Sequence, residues 1–334
     1  MSATHMPEGF LRRLVSIVLA VFALAAIPVY ATTTLTLAHI YSPDHPTAKS
    51  CQYFADTLNA RSKGRILVKL YNEASMGNQT AILRSLKNGS LDLSVLSHGV
   101  VSGIVPEFNA LGLPYLFPDP ATAWRVLDGP VGQQLMQKSA AKGLVVLSFW
   151  DMDIRHLSNS IRPILRPADL AGLRIRIPPD PLAAEIVTAL GAKAQEINFS
   201  DLYKALQQGV VDGQDNPLIN FKAARLYDVQ KFISLTGHKY AIHTFLMSKV
   251  AWDVLPAGDR EIVLAVAKET VRYQRELVRD AEVEANRDLL ARGVKINKVD
   301  IKPFSDATVP IYDKWYASPI GDFVRSVVQA VQAK

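Results

Sequence analysis

Cysteine is almost missing from this chain of 334 residues, where Cys51 stands alone. No internal disulfide can form, and thiolate metal clusters and C-x-x-C redox chemistry are excluded with it. A chain of this length must be held by its apolar core, in one large domain or two moderate ones. G-x-S-x-G, H-E-x-x-H and the P-loop are missing too, which removes the usual signatures of serine hydrolases, zinc peptidases and nucleotide-phosphate binding. Ser97 and His98 are adjacent in sequence, not a nucleophile facing its base. His39, His45, His98, His156, His238 and His243 show no metal-ligand spacing, so neither a metal nor another cofactor is expected. The chain has no internal repeat, no low-complexity linker and no lysine–arginine run, and a nucleic-acid partner is not expected. Hydrophobic residues make up 49% and charged residues 20%, ordinary globular chemistry.

Long apolar runs are equally scarce. Arg12 and Arg13 precede one over residues 14–27, followed by Val29-Tyr30-Ala31, a small-residue cleavage pattern ahead of Thr32. A membrane anchor is the alternative, but this run falls short of the roughly 20 residues that cross a bilayer. We read 1–31 as a cleaved signal peptide and expect the mature protein to be soluble and exported. Position 32 offers no cysteine for a lipid anchor. Cleavage removes Glu8, Arg12 and Arg13 and lowers the formal charge from +6 to +5, a mild excess suited to steering anionic solutes.

What is present is an alternation of strand and helix patterns. Residues 33–40, 66–71 and 91–96 read as strands, with helices over 46–61 and 80–87, the latter closed by Asn88-Gly89. This β-α-β-α-β order argues an open α/β sheet. A loop-rich stretch marked by Pro106, Pro114, Pro118 and Pro120 leads into helices over 121–128 and 131–142, then a buried strand over 144–149. A second α/β unit starts near Arg155, with a helix over 180–190 and a strand over 232–235. From 258 to 291 an amphipathic pattern places Ile262, Val266, Thr270, Tyr273, Leu277, Ala281, Ala285 and Leu289 on one face. At ~1.5 Å per residue that helix is about 50 Å long, enough to brace two small lobes.

Two blocks in the second unit are the most specific. Gly172–Pro178, G-L-R-I-R-I-P, reads as a strand with Arg174 and Arg176 on one face and Ile175 and Ile177 on the other. Asn198–Pro217, N-F-S-D-L-Y-K-A-L-Q-Q-G-V-V-D-G-Q-D-N-P, reads as a helix capped by Ser200 and stopped at Gly209, then turns at Asp212-Gly213 and Asn216-Pro217. Arg176 is costly to bury in such a strand unless an anion meets it. A ligand carboxylate and an internal salt bridge fit equally well. Asn216 offers a donor and an acceptor, or is simply a turn residue.

Together the blocks resemble the solute-binding proteins of tripartite ATP-independent periplasmic (TRAP) transporters, the DctP family, across most of residues 33–300. The resemblance implies a two-lobed periplasmic-binding-protein fold, type II-like, with a cleft between the lobes and the long helix bracing both. The expected lobes are 32–152 with about 242–281, and 153–241 with about 282–334. It implies an organic acid held in the cleft and handed to the membrane permease subunits by a monomeric carrier that does no chemistry. An exported enzyme or a sensor-coupled receptor on the same fold is the alternative.

Residue by residue, Arg176 matches the family's carboxylate-clamping arginine and Asn216 its ligand-contacting asparagine, although the usual glutamate before the latter is here Asp215. Phe199 matches the aromatic position that packs on the solute, with a core role as the other option. Arg155, in W-D-M-D-I-R, resembles the recurring arginine between the lobes and offers a second charge. Ser97 and His98 follow a strand at the carboxyl end, where open α/β sheets meet ligands; His39, Tyr41 and Gln79 are further candidates there. Trp150 either walls the cleft or packs in the core. Asp151 and Asp153 are too few for a metal, and Asp153 is kept as a possible partner of ligand hydroxyls. The solute is left open between a dicarboxylate and a sugar acid.

Overall fold

The protein is described by a computed structural model over residues 32–333, so the expected signal peptide lies outside the described residues. The first units follow the alternation: β1 (Thr33–Ala38), α1 (Pro46–Arg61), β2 (Ile66–Tyr71), α2 (Gln79–Asn88) and β3 (Leu93–Ser97). Local chemistry closes α2 at both ends. Asn78 Oδ1 accepts from the Ala81 amide, and Gly89, at φ 79°, takes the left-handed C-terminal position that a side chain disfavours. The remaining helices, in chain order, are α3 (His98–Val101), α4 (Pro120–Leu127), α5 (Pro130–Ala141), α6 (Pro181–Ala189), α7 (Phe199–Gln207), α8 (Leu218–Ala223), α9 (Lys249–Val254), α10 (Ala257–Ala291), α11 (Ile301–Tyr316) and α12 (Gly321–Gln332).

Two strands run far beyond the segments expected from sequence. β4 is Leu144–Asn159 rather than 144–149, and the later strand expected over 232–235 is Phe232–Ser248. Their extra length mixes apolar residues with buried polar ones, among them Asp151, Arg155, His238, Lys239 and His243. With β5 (Arg174–Ile177), β6 (Lys193–Glu196), β7 (Gly213–Asn216), β8 (Phe232–Ser248) and β9 (Lys295–Lys298), they form one nine-stranded sheet ordered β2-β1-β3-β8-β4-β7-β5-β6, with β9 on β8. β8 pairs antiparallel with β3 and along β4, whose far end pairs with β7. The chain therefore crosses between the two flanks of the sheet as ordered strands. The β4–β8 register breaks between Val146 and Ser148, Asp151 and Asp153, and Arg155 and Leu157. Such bulges bend and twist a ribbon, and Asp153 takes φ 75° at the middle one.

The long helix α10 spans 35 residues. Val263, Val266 and Ala267 join the apolar cluster around Phe54 and Phe245, while Val278, Ala285 and Leu289 join the one around Leu202 and Phe221. One helix thus packs into two separate cores, as a brace must. Its middle differs from the expected stripe: Gln274 and Val278 are buried where Tyr273 and Leu277 were expected. The reason is the bulge. Gln274 Oε1 accepts from the Asp151 amide and its Nε2 donates to the Asp151 carbonyl, satisfying backbone groups that a bulge takes out of the ladder.

The second specific block also departs from its reading. Helix α7 starts at Phe199 with Asn198 in the cap position, so Ser200 lies inside the first turn. Gly209 does end it, at φ 66°. Asp212-Gly213 is not a turn but the entry to β7. A Cβ on Gly213 would lie 2.1 Å from the Ser158 carbonyl, so glycine is needed for close approach between strands.

Candidate functional site

Arg176 sits in β5, whose neighbours Ile175 and Ile177 anchor the strand in the core. Only 1% of Arg176 is exposed. Its Nε donates to the Ile197 carbonyl at 2.7 Å, and neither terminal nitrogen has a partner among the described residues. Arg174, on the same face, is half exposed and paired to Asp212 at 2.7 Å. The two arginines therefore have opposite fates. Burial pushes the Arg176 pKa down to about 9, opposed by Asp215 and reinforced by Arg155. It remains charged near neutrality and makes no ion pair among the described residues.

Arg155 in β4 is different. Its Nε reaches Asp215 Oδ2 at 2.6 Å, and its Nη2 reaches Oδ1 at 3.0 Å and the Asp215 carbonyl at 2.6 Å. Both side chains are buried. Burial alone would raise the Asp215 pKa, but the guanidinium and the His238 contact outweigh it and hold the carboxyl far below its usual range. Deeper still, Lys239 pairs with Asp180, which also caps α6 by accepting from the Leu182 and Ala183 amides.

Around Arg176 lies a cavity in two parts, both bordered by Ile40, Gln79, Pro178 and Phe199. The inner part adds Tyr41, Ser97, Met152, Arg155, Asn216 and Asn220. Six expected residues thus come together: Arg176, Asn216, Arg155, Phe199, Ser97 and Gln79. Asn216 is already engaged, donating to Gln214 and accepting from Asn220 Nδ2 at 3.2 Å, and Asn220 in turn meets His45 Nε2 at 3.0 Å. Gln79 Oε1 accepts from the Ser97 amide at 2.8 Å, which leaves its Nε2 and the Ser97 hydroxyl without partners among the described residues.

The other four expected residues do not line this cavity. Trp150 is core: its Nε1 donates to Ser148 and its ring packs on Phe245 at 4.9 Å. Asp153 binds the Ile154 amide and faces Glu282 of α10. His39 accepts from the Tyr41 amide through Nδ1, and His98 Nδ1 contacts the Ile242 backbone. Both imidazoles are kept neutral, their pKa lowered by burial to about 4 and about 3. Tyr41 does reach the cavity, with its hydroxyl 2.7 Å from His243 Nε2. Met152 and Asn220 were missed. Met152 lies between the two aspartates at the β4 bulge, and Asn220 lies on α8, which begins two residues after Asn216 at the end of β7, so neither had a regular spacing to mark it.

The family model for bacterial extracellular solute-binding proteins, family 7 (DctP), matches residues 37–318. This chain belongs to that family. It is 44% identical over 289 residues to the uncharacterized protein y4mM of Sinorhizobium fredii, a match that takes up 86% of this chain and 53% of that relative. Among solved structures, the sugar acid binding protein DctPAm of Advenella mimigardefordensis in complex with galactonate superposes with a TM-score of 0.88 at 28% identity, covering 90% of this chain and 98% of that one. A TRAP periplasmic solute-binding protein of Polaromonas bound to D-erythronate gives 0.87 at 31% identity, covering 90% and 100%. The family's members are binding proteins of two lobes, and this DctP protein has their fold. No helix among its described residues is long and apolar enough to cross a membrane.

Proposed function

We propose that this DctP protein captures a small organic acid between two lobes in the periplasm and delivers it unchanged to the membrane permease subunits of a TRAP transporter. The observation that carries the reading is Arg176, a buried guanidinium whose two terminal nitrogens have no partner among the described residues. A carboxylate placed there would supply the missing charge and accept both hydrogen bonds in the planar, two-pronged geometry that arginine favours. The solved relatives support an acid as solute, since they hold galactonate, D-erythronate and succinate.

The lobes we assign are 32–152 with about 242–281, and 153–241 with about 282–334, after removal of a signal peptide over 1–31. Closure about the bulged β4–β8 ribbon would bury the solute and shape the surface offered to the permease. The carrier is taken as a monomer. Arg176, Asn216, Arg155, Phe199, Ser97 and Gln79 form the site; His39, His98, Trp150 and Asp153 act from behind it.

Thermal-shift and calorimetric titration against an organic-acid panel tests this. Arg176→Ala should weaken binding by at least about 30-fold, since truncating one partner of a buried charge pair costs about 2–5 kcal/mol. Because Arg176 has no counter-ion in the free protein, Arg176→Met should leave the unliganded form as stable as the parent, or more so, in urea unfolding. Undiminished binding by Arg176→Ala, or turnover of the solute, would overturn the reading.

A further inference from the structure

We propose a second binding site, in the groove between α10 and the α4–α5 pair, for a compact amphipathic anion: an apolar chain or ring system carrying one carboxylate or sulfonate. None of the residues lining this groove lines the cavity around Arg176.

The groove follows from the way the sheet ends. β8 covers one edge of β4 along its whole length, but β7 pairs with the other edge only from His156 to Asn159. The first half of that second edge therefore has no strand beside it among the described residues. Helix α10 packs on β4 with the core around Phe54 and Phe245, which takes in Leu147, while α4 and α5 pack with the core that takes in Phe149. Successive side chains of a strand point to opposite faces, so an open edge is where both cores come to the surface together. Leu147, Ser148 and Phe149 accordingly border the groove in succession, with Trp124 and Met136 on one side and Leu264 and Val271 of α10 on the other. Its volume is about 830 Å³. Sites for small molecules span about 300–1,000 Å³ and combine such apolar walls with a few polar groups.

Charge selects an anion. Of the six charged side chains lining the groove, four are cationic (Lys268, Arg272, Arg275 and Arg279) and two are acidic (Asp128 and Glu276). Arg275 pairs with Asp128 at 2.8 Å and Arg279 with its exposed neighbour Asp280 at 3.2 Å, whereas Lys268 and Arg272 make no ion pair among the described residues. Exposed cations alone are an ordinary solvated face. Two things set this face apart: the cations border an apolar floor, and Arg275 keeps a donor in reserve. Its Nη1 and Nη2 are taken by Asp128 and its guanidinium lies 4.8 Å over the Trp124 ring, but its Nε is buried without a partner among the described residues. A buried donor of this kind is costly until an acceptor meets it. The Arg275–Asp128 pair also ties α10 to the α4–α5 turn across the groove, which breaks its length and favours a compact molecule over a partner's strand or helix.

The test is a fluorescence titration of the full mature chain with anilinonaphthalene sulfonate, followed by displacement with decanoate, hexanoate and decyltrimethylammonium. One probe should bind per chain. Decanoate should displace it at least about tenfold better than hexanoate, which has four fewer methylenes to bury, and better than decyltrimethylammonium, whose head carries the wrong sign. The double variant Lys268→Glu, Arg272→Glu should weaken probe and decanoate about tenfold or more. Both residues are exposed and lie outside the cleft, so the variant should keep the parent's Tm and its binding of organic acids at Arg176. Arg176→Ala should leave decanoate binding unchanged. Absence of probe binding, binding that survives both charge reversals, binding that Arg176→Ala abolishes, or equal displacement by decyltrimethylammonium would overturn the proposal. None of these outcomes bears on the cleft, whose own titrations decide that reading separately.

Discussion

Asp215→Asn is the sharpest perturbation of the charge arrangement. The carboxylate receives Nε and Nη2 of Arg155 at 2.6 and 3.0 Å, with both side chains buried. The amide keeps the shape and one acceptor but removes the counter-charge, leaving Arg155 ionised beside Arg176. Breaking one side of a buried pair costs about 3–5 kcal/mol. Because the Asp215 carbonyl still accepts from Nη2, we expect the lower end, about 3 kcal/mol, or a fall in Tm of roughly 6–10 °C. Urea unfolding at pH 7 reads this directly. The pH dependence adds a second check. The folded carboxyl titrates far below its unfolded value of 3.8, so its contribution is present in full above that value and is lost as the pH falls through the folded pKa. The gap between parent and variant should be constant from about pH 5 upward and narrow below about pH 4. An unpaired Arg155 also changes selectivity: succinate should stabilise the variant more than the parent. A loss under about 1 kcal/mol, independent of pH, would refute the account, because it would mean that the pair is solvated or replaceable.

Gly99→Ala should hold the cleft open, because its Cβ would meet Asp180 Oδ2 at 2.2 Å and that carboxylate is fixed by Lys239 and by the α6 amides. Small-angle scattering should show a larger radius of gyration with acid present, and affinity should fall about tenfold or more as the closed population drops; affinity within twofold of the parent would count against it. Glu282→Gln tests the hinge. Burial, then Asp153 beside it, raises the Glu282 pKa from 4.5, so the folded protein holds a proton that the unfolded chain releases, and parental stability falls as the pH rises above 4.5. The variant should match the parent near pH 4 and exceed it by about 1–3 kcal/mol at pH 8, whereas equal gaps at pH 5 and pH 8 would exclude a shared proton at the β4 bulge.

The parts of the fold that were legible in sequence are those whose partners are apolar. β1, β2, α2 and the ends of α10 could be read because Leu35, Leu37, Leu83, Leu86, Val266 and Leu289 recur at strand or helix spacing and all pack into cores. The far halves of β4 and β8 could not. In D-M-D-I-R-H and T-G-H-K-Y most of the buried residues are polar or charged, and what makes them tolerable inside a strand is a partner many residues away. Asp151 meets the Tyr240 hydroxyl, Arg155 meets Asp215, and Lys239 meets Asp180. Sequence spacing carries no record of such pairings. The same limit applied to the site. The blocks around Arg176 and Asn216 singled out both residues, but they could not reveal that Arg155 pairs with Asp215 or that Asn216 is hydrogen-bonded to Gln214 and Asn220. What the proposed site can offer a solute therefore depends on which polar groups the fold has already paired, and pairings between residues distant in the chain leave no mark in sequence spacing.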